Sequence, residues 1–241
     1  MPSTEYLHLA AQPSAVDHAL AEWLATQMED TLTHKELFTL AISGGSTPVN
    51  FFRLLATPPW QKRFDWSRLA LFWVDERVVP PTHPASNFHS AAENLLTHLL
   101  RPPAQVWRWH TEYDVPHALA DYRYTLDRFA PDGLDAIILG LGPDGHTASL
   151  FPYFPELHTS DIVAAPYNPA LPQPQRLTLT LPTLNRARHL AMLVTEPQKK
   201  EVAAAILTRP ASDALPASLI HPVHEPMQWF LTDTFAPILN T

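Results

Sequence analysis

The chain of 241 residues contains no cysteine. A disulfide framework, thiol chemistry and a cysteine metal site are therefore excluded, which suits a reducing cytoplasm. Long hydrophobic runs are also missing: no apolar stretch approaches the ~20 residues needed to span a bilayer. The opening residues "MPSTEYLHLAAQ" hold no basic segment followed by an apolar one, so the expectation is a cytoplasmic protein with no membrane partner. Positive charge is scarce. Lys and Arg number 16 against 24 Asp and Glu, for a net charge of −8, and no basic cluster tracks a phosphate backbone; nucleic acid is not expected as a partner. Glycine is scarcer still at 6 residues, where roughly 7% of a chain is ordinary.

What is there is proline, 26 residues of it, and a hydrophobic content of 46% that can bury a sizeable core. A chain that builds its turns with proline has kept glycine in two places: Gly44 and Gly45 in "LAISGGSTP", and Gly140, Gly142 and Gly145 in "LGLGPDGH". Glycine is needed where φ is positive or where another group approaches the backbone closely. Both stretches are read as ligand-contacting loops.

Apolar runs alternate with helical patterns. "SAVDHALAEWLATQMED" places Val16, Leu20, Trp23, Leu24 and Met28 at helical spacing, and "ELFTLAIS" follows as a buried strand. "TPVNFFRLLA" predicts a short helix, "RLALFWV" a strand, "SNFHSAAENLLTHLL" a helix begun by Ser86 or Asn87, "HALADYRYTLDRF" a helix and "LDAIILG" a strand. Then come the strands "RLTLTLP" and "RHLAMLV", the helix "PQKKEVAAAIL" with Pro197 at its first position, and the strand "MQWFLT". The pattern predicts an α/β fold around a mostly parallel sheet. The proline-rich stretch 165–175 is read as a surface loop. In such a sheet ligands gather at the carboxyl ends of the strands, and both glycine loops, with "DER" after "LALFWV", occupy such ends.

"GLGPDG" at 140–145 is literally G-x-G-x-x-G, but a dinucleotide site also needs a long helix from the last glycine and an acidic residue about twenty positions on. Pro152 and Pro155 stop any helix, and the next strand-like run, "DIVAA", ends without a carboxylate. The glycines serve something else. His146, directly after Gly145, is the only one of 13 histidines in a glycine-rich loop; with Asp144 beside it and exposed N–H groups around it, it can act as general base while the loop stabilises an oxyanion. "SGGSTP" joins strand to helix, with Pro48 as first helical residue and Thr47 or Ser46 as cap. Its free N–H groups and helix dipole suit a phosphate, though a capped helix without ligand reads equally well. "DER" offers an orienting carboxylate and a guanidinium (Asp75, Glu76, Arg77), or else a surface ion pair; its place at a strand end favours the former. His221 and His224 in "HPVH" lack a third ligand, so no metal site is read there.

"SGGSTP", "DERVVPPTHPASN", "LGLGPDGHTASLFP", "RLTLTLPTLNRA" and "LPASLI" resemble, in order and spacing, the motifs of the 6-phosphogluconolactonase family. The likeness spans nearly the whole chain, 1–241, taken as a single domain. It implies a Rossmann-like α/β unit without a nucleotide, shared with glucosamine-6-phosphate deaminases and ribose-5-phosphate isomerases, and hydrolysis of a phosphosugar lactone without cofactor or metal. Residue by residue, it implies that Ser43, Gly44, Gly45, Ser46 and Thr47 line the phosphosugar site, with Asp75 and Arg77 beside it and His146 as catalytic base. Arg176 and Lys199 match the family's arginine before its T-x-T strand and the lysine opening a late helix. One departure is Glu196, where the family usually has glycine; it brings an acidic side chain up to the phosphate. Asp75 is read as positioning the water or the imidazole. The rival readings are an isomerase or deaminase on the same fold, and a phosphosugar sensor without catalysis. Oligomeric state is not readable from the sequence.

Overall fold

The structure, a computed structural model, describes residues 6–235. Its strands in chain order are β1 (Leu7–Ala10), β2 (Phe38–Ile42), β3 (Leu69–Trp73), β4 (Asp75–Arg77), β5 (Gln105–Trp107), β6 (Ala136–Gly140), β7 (Val163–Ala164), β8 (Arg176–Leu179), β9 (His189–Val194) and β10 (Gln228–Thr232). The α-helices are α1 (Pro13–Thr31), α2 (Pro48–Leu55), α3 (Trp60–Arg63), α4 (Asn87–Asn94), α5 (Val115–Phe129), α6 (Leu181–Asn185) and α7 (Lys200–Thr208).

Seven strands form a sheet in the order β1-β10-β9-β6-β2-β3-β5, every pairing parallel. β2, β3 and β9 are buried along their whole length and β6 up to its last residue. That burial on both faces is why these strands read as continuous apolar runs. β1 and β5, which the apolar runs do not reveal, lie at the two edges, are short, and expose residues to solvent. From β2 the chain steps outward through β3 to β5. From β6 it steps the other way, through β9 to β10. The order therefore reverses between β2 and β6, and parallel pairing puts the carboxyl ends of both on one rim. A crevice opens at such a switch point.

"RLTLTLP" does not join this sheet. β8 pairs antiparallel with β4 and β7 in a separate three-stranded sheet, with Arg77 opposite Arg176 and Asp75 opposite Thr178. The connection from β7 to β8 carries no helix, and a parallel neighbour needs a crossover of a dozen or more residues, usually helical. The chain returns antiparallel instead. "DER", which follows the carboxyl end of β3 as its place in the sequence implies, is itself a strand of this second sheet.

α1 buries Val16, Leu20, Leu24 and Met28, each no more than 2% exposed, at a spacing of four. The same helix buries Asp17, whose Oδ1 has no partner; burial pushes its carboxyl up to about 7. α4 is capped by the Ser86 hydroxyl, which accepts from His89 N at 3.2 Å, and gives way after Asn94 to a 3-10 turn, so it is shorter than its apolar pattern predicts. α5 begins two residues before His117, under an Asp114 cap. Pro197 opens a 3-10 turn, and the helix proper starts at Lys200.

Candidate active site

The first glycine loop leaves β2 at Ser43, whose N–H donates to Ile138 O across the switch point at 3.0 Å. Gly45 takes φ +90°, which turns the chain into α2. The N–H groups of Gly44, Gly45, Ser46 and Thr47 have no acceptor among the described residues, and the Ser43 hydroxyl is buried without a partner. Thr47 does stand at the cap position, but no side chain caps α2: the Thr47 hydroxyl donates to Glu196 instead. The expected cap is absent for that reason. The loop thus keeps its backbone donors and the positive end of the α2 dipole free for an anion.

The second glycine loop folds on itself. Gly142 N donates to His146 O at 2.7 Å, Gly145 N to Gly142 O at 3.1 Å, and His146 N to Asp144 Oδ1 at 3.2 Å. These three N–H groups are consumed inside the turn and are not open to an oxyanion. The turn does hold one imidazole. His146 Nδ1 lies 2.5 Å from Asp144 Oδ1, and the ring sits 5.2 Å from that of Phe151. Burial works to raise the Asp144 carboxyl, yet the hydrogen bond and charge of His146 outweigh it and hold it below its ordinary value. An ionised Asp144 accepts from Nδ1–H. The network therefore assigns the tautomer whose Nε2 carries the lone pair, and Nε2 has no protein partner among the described residues. Gly142 is required by space: a Cβ there would lie 2.1 Å from His146 Nδ1.

From the second sheet come Asp75, Arg77 and Arg176. Asp75 Oδ2 accepts from Ser149 Oγ at 2.6 Å and Oδ1 from Asn87 Nδ2 at 3.2 Å; the imidazole's carboxylate is Asp144, not Asp75. Glu76 is structural. It accepts from the N–H groups of Arg77, Asn87 and Phe88 and from the Ser86 hydroxyl, tying β4 to the start of α4, and burial raises its carboxyl despite these bonds. Arg77 donates to Ala85 O at 2.6 Å, while its Nε and that of Arg176 are buried without partners. Burial, then the neighbouring Arg77 charge, lowers the Arg176 guanidinium below its ordinary range. A buried guanidinium facing a half-buried one across a ladder is an arrangement that an anion relieves.

The strand β9 ends at the third corner. Lys199 Nζ donates to Thr47 Oγ1 at 3.0 Å and to Glu196 Oε1 at 2.9 Å. Burial acts to raise the Glu196 carboxyl, but the Thr47 hydroxyl and Lys199 prevail and keep it low, hence ionised at neutral pH.

The ten residues that the family resemblance assigns to the site (Ser43 to Thr47, Asp75, Arg77, His146, Arg176 and Lys199) line one cleft of about 430 Å³, while Glu76, Asp144 and Gly145 do not line it; that volume is within the ~300–1,000 Å³ usual for small-molecule sites. Asn87 and Ser149 also line it, and sequence spacing does not point to either. Leu171 reaches it from the proline-rich loop, which is thus more than a surface connection. Among the described residues no group of three or more His, Cys, Asp or Glu is placed to hold a metal ion, and no helix is long and apolar enough to cross a membrane.

Residues 11–229 match the family model "Glucosamine-6-phosphate isomerases/6-phosphogluconolactonase". The chain is 32% identical over 229 residues to "Probable 6-phosphogluconolactonase 1" of Arabidopsis thaliana, covering 88% of this chain and 85% of that protein. It is 31% identical over 238 residues to the chloroplastic "Probable 6-phosphogluconolactonase 3" of Oryza sativa subsp. indica, covering 92% and 72%. The crystal structure of 6-phosphogluconolactonase from Thermotoga maritima superposes with a TM-score of 0.82 at 28% identity, covering 94% of this chain and 98% of that one. A monomeric glucosamine-6-phosphate deaminase, 17% identical with a TM-score of 0.81 and coverage of 96% and 99%, shares the fold.

Proposed function

The chain belongs to the glucosamine-6-phosphate isomerase/6-phosphogluconolactonase family, and from that premise we propose that it hydrolyses 6-phospho-D-glucono-1,5-lactone to 6-phosphogluconate, acting as one domain. The observation that carries this reading is the His146–Asp144 pair, with the free Nε2 at a cleft that also holds Arg77, Arg176 and Lys199. A base and a cationic anion site in one cleft are what a phosphorylated ester substrate requires.

In the proposed reaction, Nε2 of His146 takes a proton from a water whose oxygen attacks C1 of the lactone. The carbonyl electron pair moves onto its oxygen as the tetrahedral intermediate forms. When the carbonyl re-forms, the bond from C1 to the ring oxygen breaks, and that oxygen takes the proton back from Nε2. The product carboxylic acid then ionises in water. A positioned base contributes about 10²–10⁴-fold. Asp144 holds the tautomer and stabilises the imidazolium; Asp75, fixed by Ser149 and Asn87, orients the water. Ser149 donates a hydrogen bond to Asp75 and lies outside any nucleophile elbow, so no acyl-enzyme enters. The phosphate takes the free N–H groups of residues 44–47 with Lys199, and Arg77 and Arg176 supply the remaining positive field.

The test is a lactone hydrolysis assay corrected for spontaneous ring opening, run beside one with glucosamine 6-phosphate. Hydrolysis above the spontaneous rate, with no ammonia released from the amino sugar, is expected. Ammonia release without lactone hydrolysis would replace this reading by the deaminase one.

A further inference from the structure

The anion corner at the start of α2 is already occupied by a carboxylate of the chain itself. Glu196 Oε1 accepts from the Thr47 hydroxyl and from Lys199 Nζ, and Lys199 also donates to Thr47, so three side chains from two distant parts of the sequence close a ring beside the loop whose N–H groups are free. Only Thr47 is distant in sequence, since Glu196 and Lys199 stand three residues apart, and the ring they close is partly buried: the side chains of Lys199 and Glu196 are 12% and 20% exposed. Glu196 Oε2 is buried without a partner. A carboxylate with one satisfied and one bare oxygen, at a helix N-terminus and beside a lysine, holds the donors that a phosphate oxygen would use. It also carries the same sign of charge.

We propose that Glu196 is a specificity-determining residue that competes with the substrate phosphate for Thr47 and Lys199. Phosphate binding then requires the Glu196 carboxylate to leave this ring, and the competition lowers the selectivity of the site for phosphorylated over unphosphorylated lactones. Two consequences follow from charge and geometry. Removing the carboxylate frees the Lys199 ammonium and the Thr47 hydroxyl for phosphate and abolishes a like-charge repulsion, so affinity for a phosphate dianion rises. An unphosphorylated lactone, which places no anion at this corner, gains nothing from the change.

This inference rests on the assignment of the 43–47 corner to phosphate, and its test separates the two. Calorimetric binding of inorganic phosphate and of 6-phosphogluconate would be compared for wild type, Glu196→Gln, which keeps the shape and removes the charge, and Glu196→Gly, which removes both. Both variants are expected to bind each ligand at least about tenfold more tightly, the equivalent of one charge-assisted contact. The ratio of kcat/KM for 6-phospho-D-glucono-1,5-lactone over D-glucono-1,5-lactone is expected to rise by a similar factor. Unchanged or weaker phosphate binding in both variants would overturn the competition and make Glu196 a support for Lys199. A wild type that binds phosphate but hydrolyses neither lactone would refute the catalytic reading while leaving the binding comparison decisive.

Discussion

Gly142→Ala separates the position of the catalytic imidazole from the stability of the fold. A Cβ on Gly142 would stand 2.1 Å from Nδ1, 2.2 Å from Cε1 and 2.7 Å from Cγ of His146, whereas non-bonded carbon and nitrogen settle at roughly 3.5 Å. The ring must therefore move by roughly 1 Å or more. It can do so, because the obstacle is a side chain at the edge of a cleft and not backbone. Gly142 N keeps its bond to His146 O, and Gly142, unlike Gly145 at φ +82°, does not occupy the left-handed region. Alanine is thus tolerated by the backbone and restricts the unfolded chain, a change worth about 0.4–1 kcal/mol of added stability, against which the displaced His146–Asp144 bond weighs about the same. Stability should change by less than about 1 kcal/mol. Catalysis should not survive so well: a 1 Å misplacement of a reacting group costs roughly 10²-fold. The assay pairs denaturant unfolding with lactone turnover at saturating substrate. A kcat near the wild-type value in a folded Gly142→Ala protein would refute the claim that the Asp144-held imidazole does the chemistry.

Arg176→Gln should raise KM for the phosphorylated lactone roughly ten- to a hundredfold, the loss of one or two charge-assisted contacts. It should not destabilise the ligand-free protein, since burial and Arg77 already disfavour that charge; a clear drop in ligand-free stability would contradict this. Asp17→Asn should stabilise the protein at pH 8 and not at pH 4. The folded carboxyl is pushed up to about 7 while the unfolded one titrates near 3.9, so stability is lost as pH rises through that window, by up to about 4 kcal/mol. Denaturant unfolding at both pH values measures it, and an equal effect at the two would rule out ionisation as the cause. Exhaustive chelation should leave lactone hydrolysis intact, because no described cluster of three ligands exists; loss restored by a divalent ion would overturn the water-activation step.

The central strands are legible in the sequence because burial on both faces forces continuous apolar runs in β2, β3, β6 and β9. β1 and β5 leave no such trace, being edges with exposed residues. The glycine loops stand out because glycine is so scarce elsewhere, and structure gives two distinct reasons for it: positive φ at Gly45 and Gly145, and a packed imidazole at Gly142. What spacing cannot show is which side chains meet across the fold. Ser149 reaches Asp75 over 74 positions and Thr47 reaches Glu196 over 149, and neither pairing has a local signature. The facing of Arg77 and Arg176 depends on β8 leaving the main sheet for a second one, which an apolar run alone does not distinguish from a parallel strand.

The most direct test of the account is turnover and ligand binding in His146→Asn. The substitution keeps a polar side chain at the turn and leaves the 43–47 loop, Arg77, Arg176 and Lys199 in place, so calorimetric binding of 6-phosphogluconate should remain within a few-fold of wild type. Lactone hydrolysis at saturating substrate should fall by the roughly 10²–10⁴-fold contributed by a positioned base. Near-normal turnover in a variant that still binds 6-phosphogluconate would contradict the account, reduce His146 to a structural residue of its turn, and pass the role of base to Asp75.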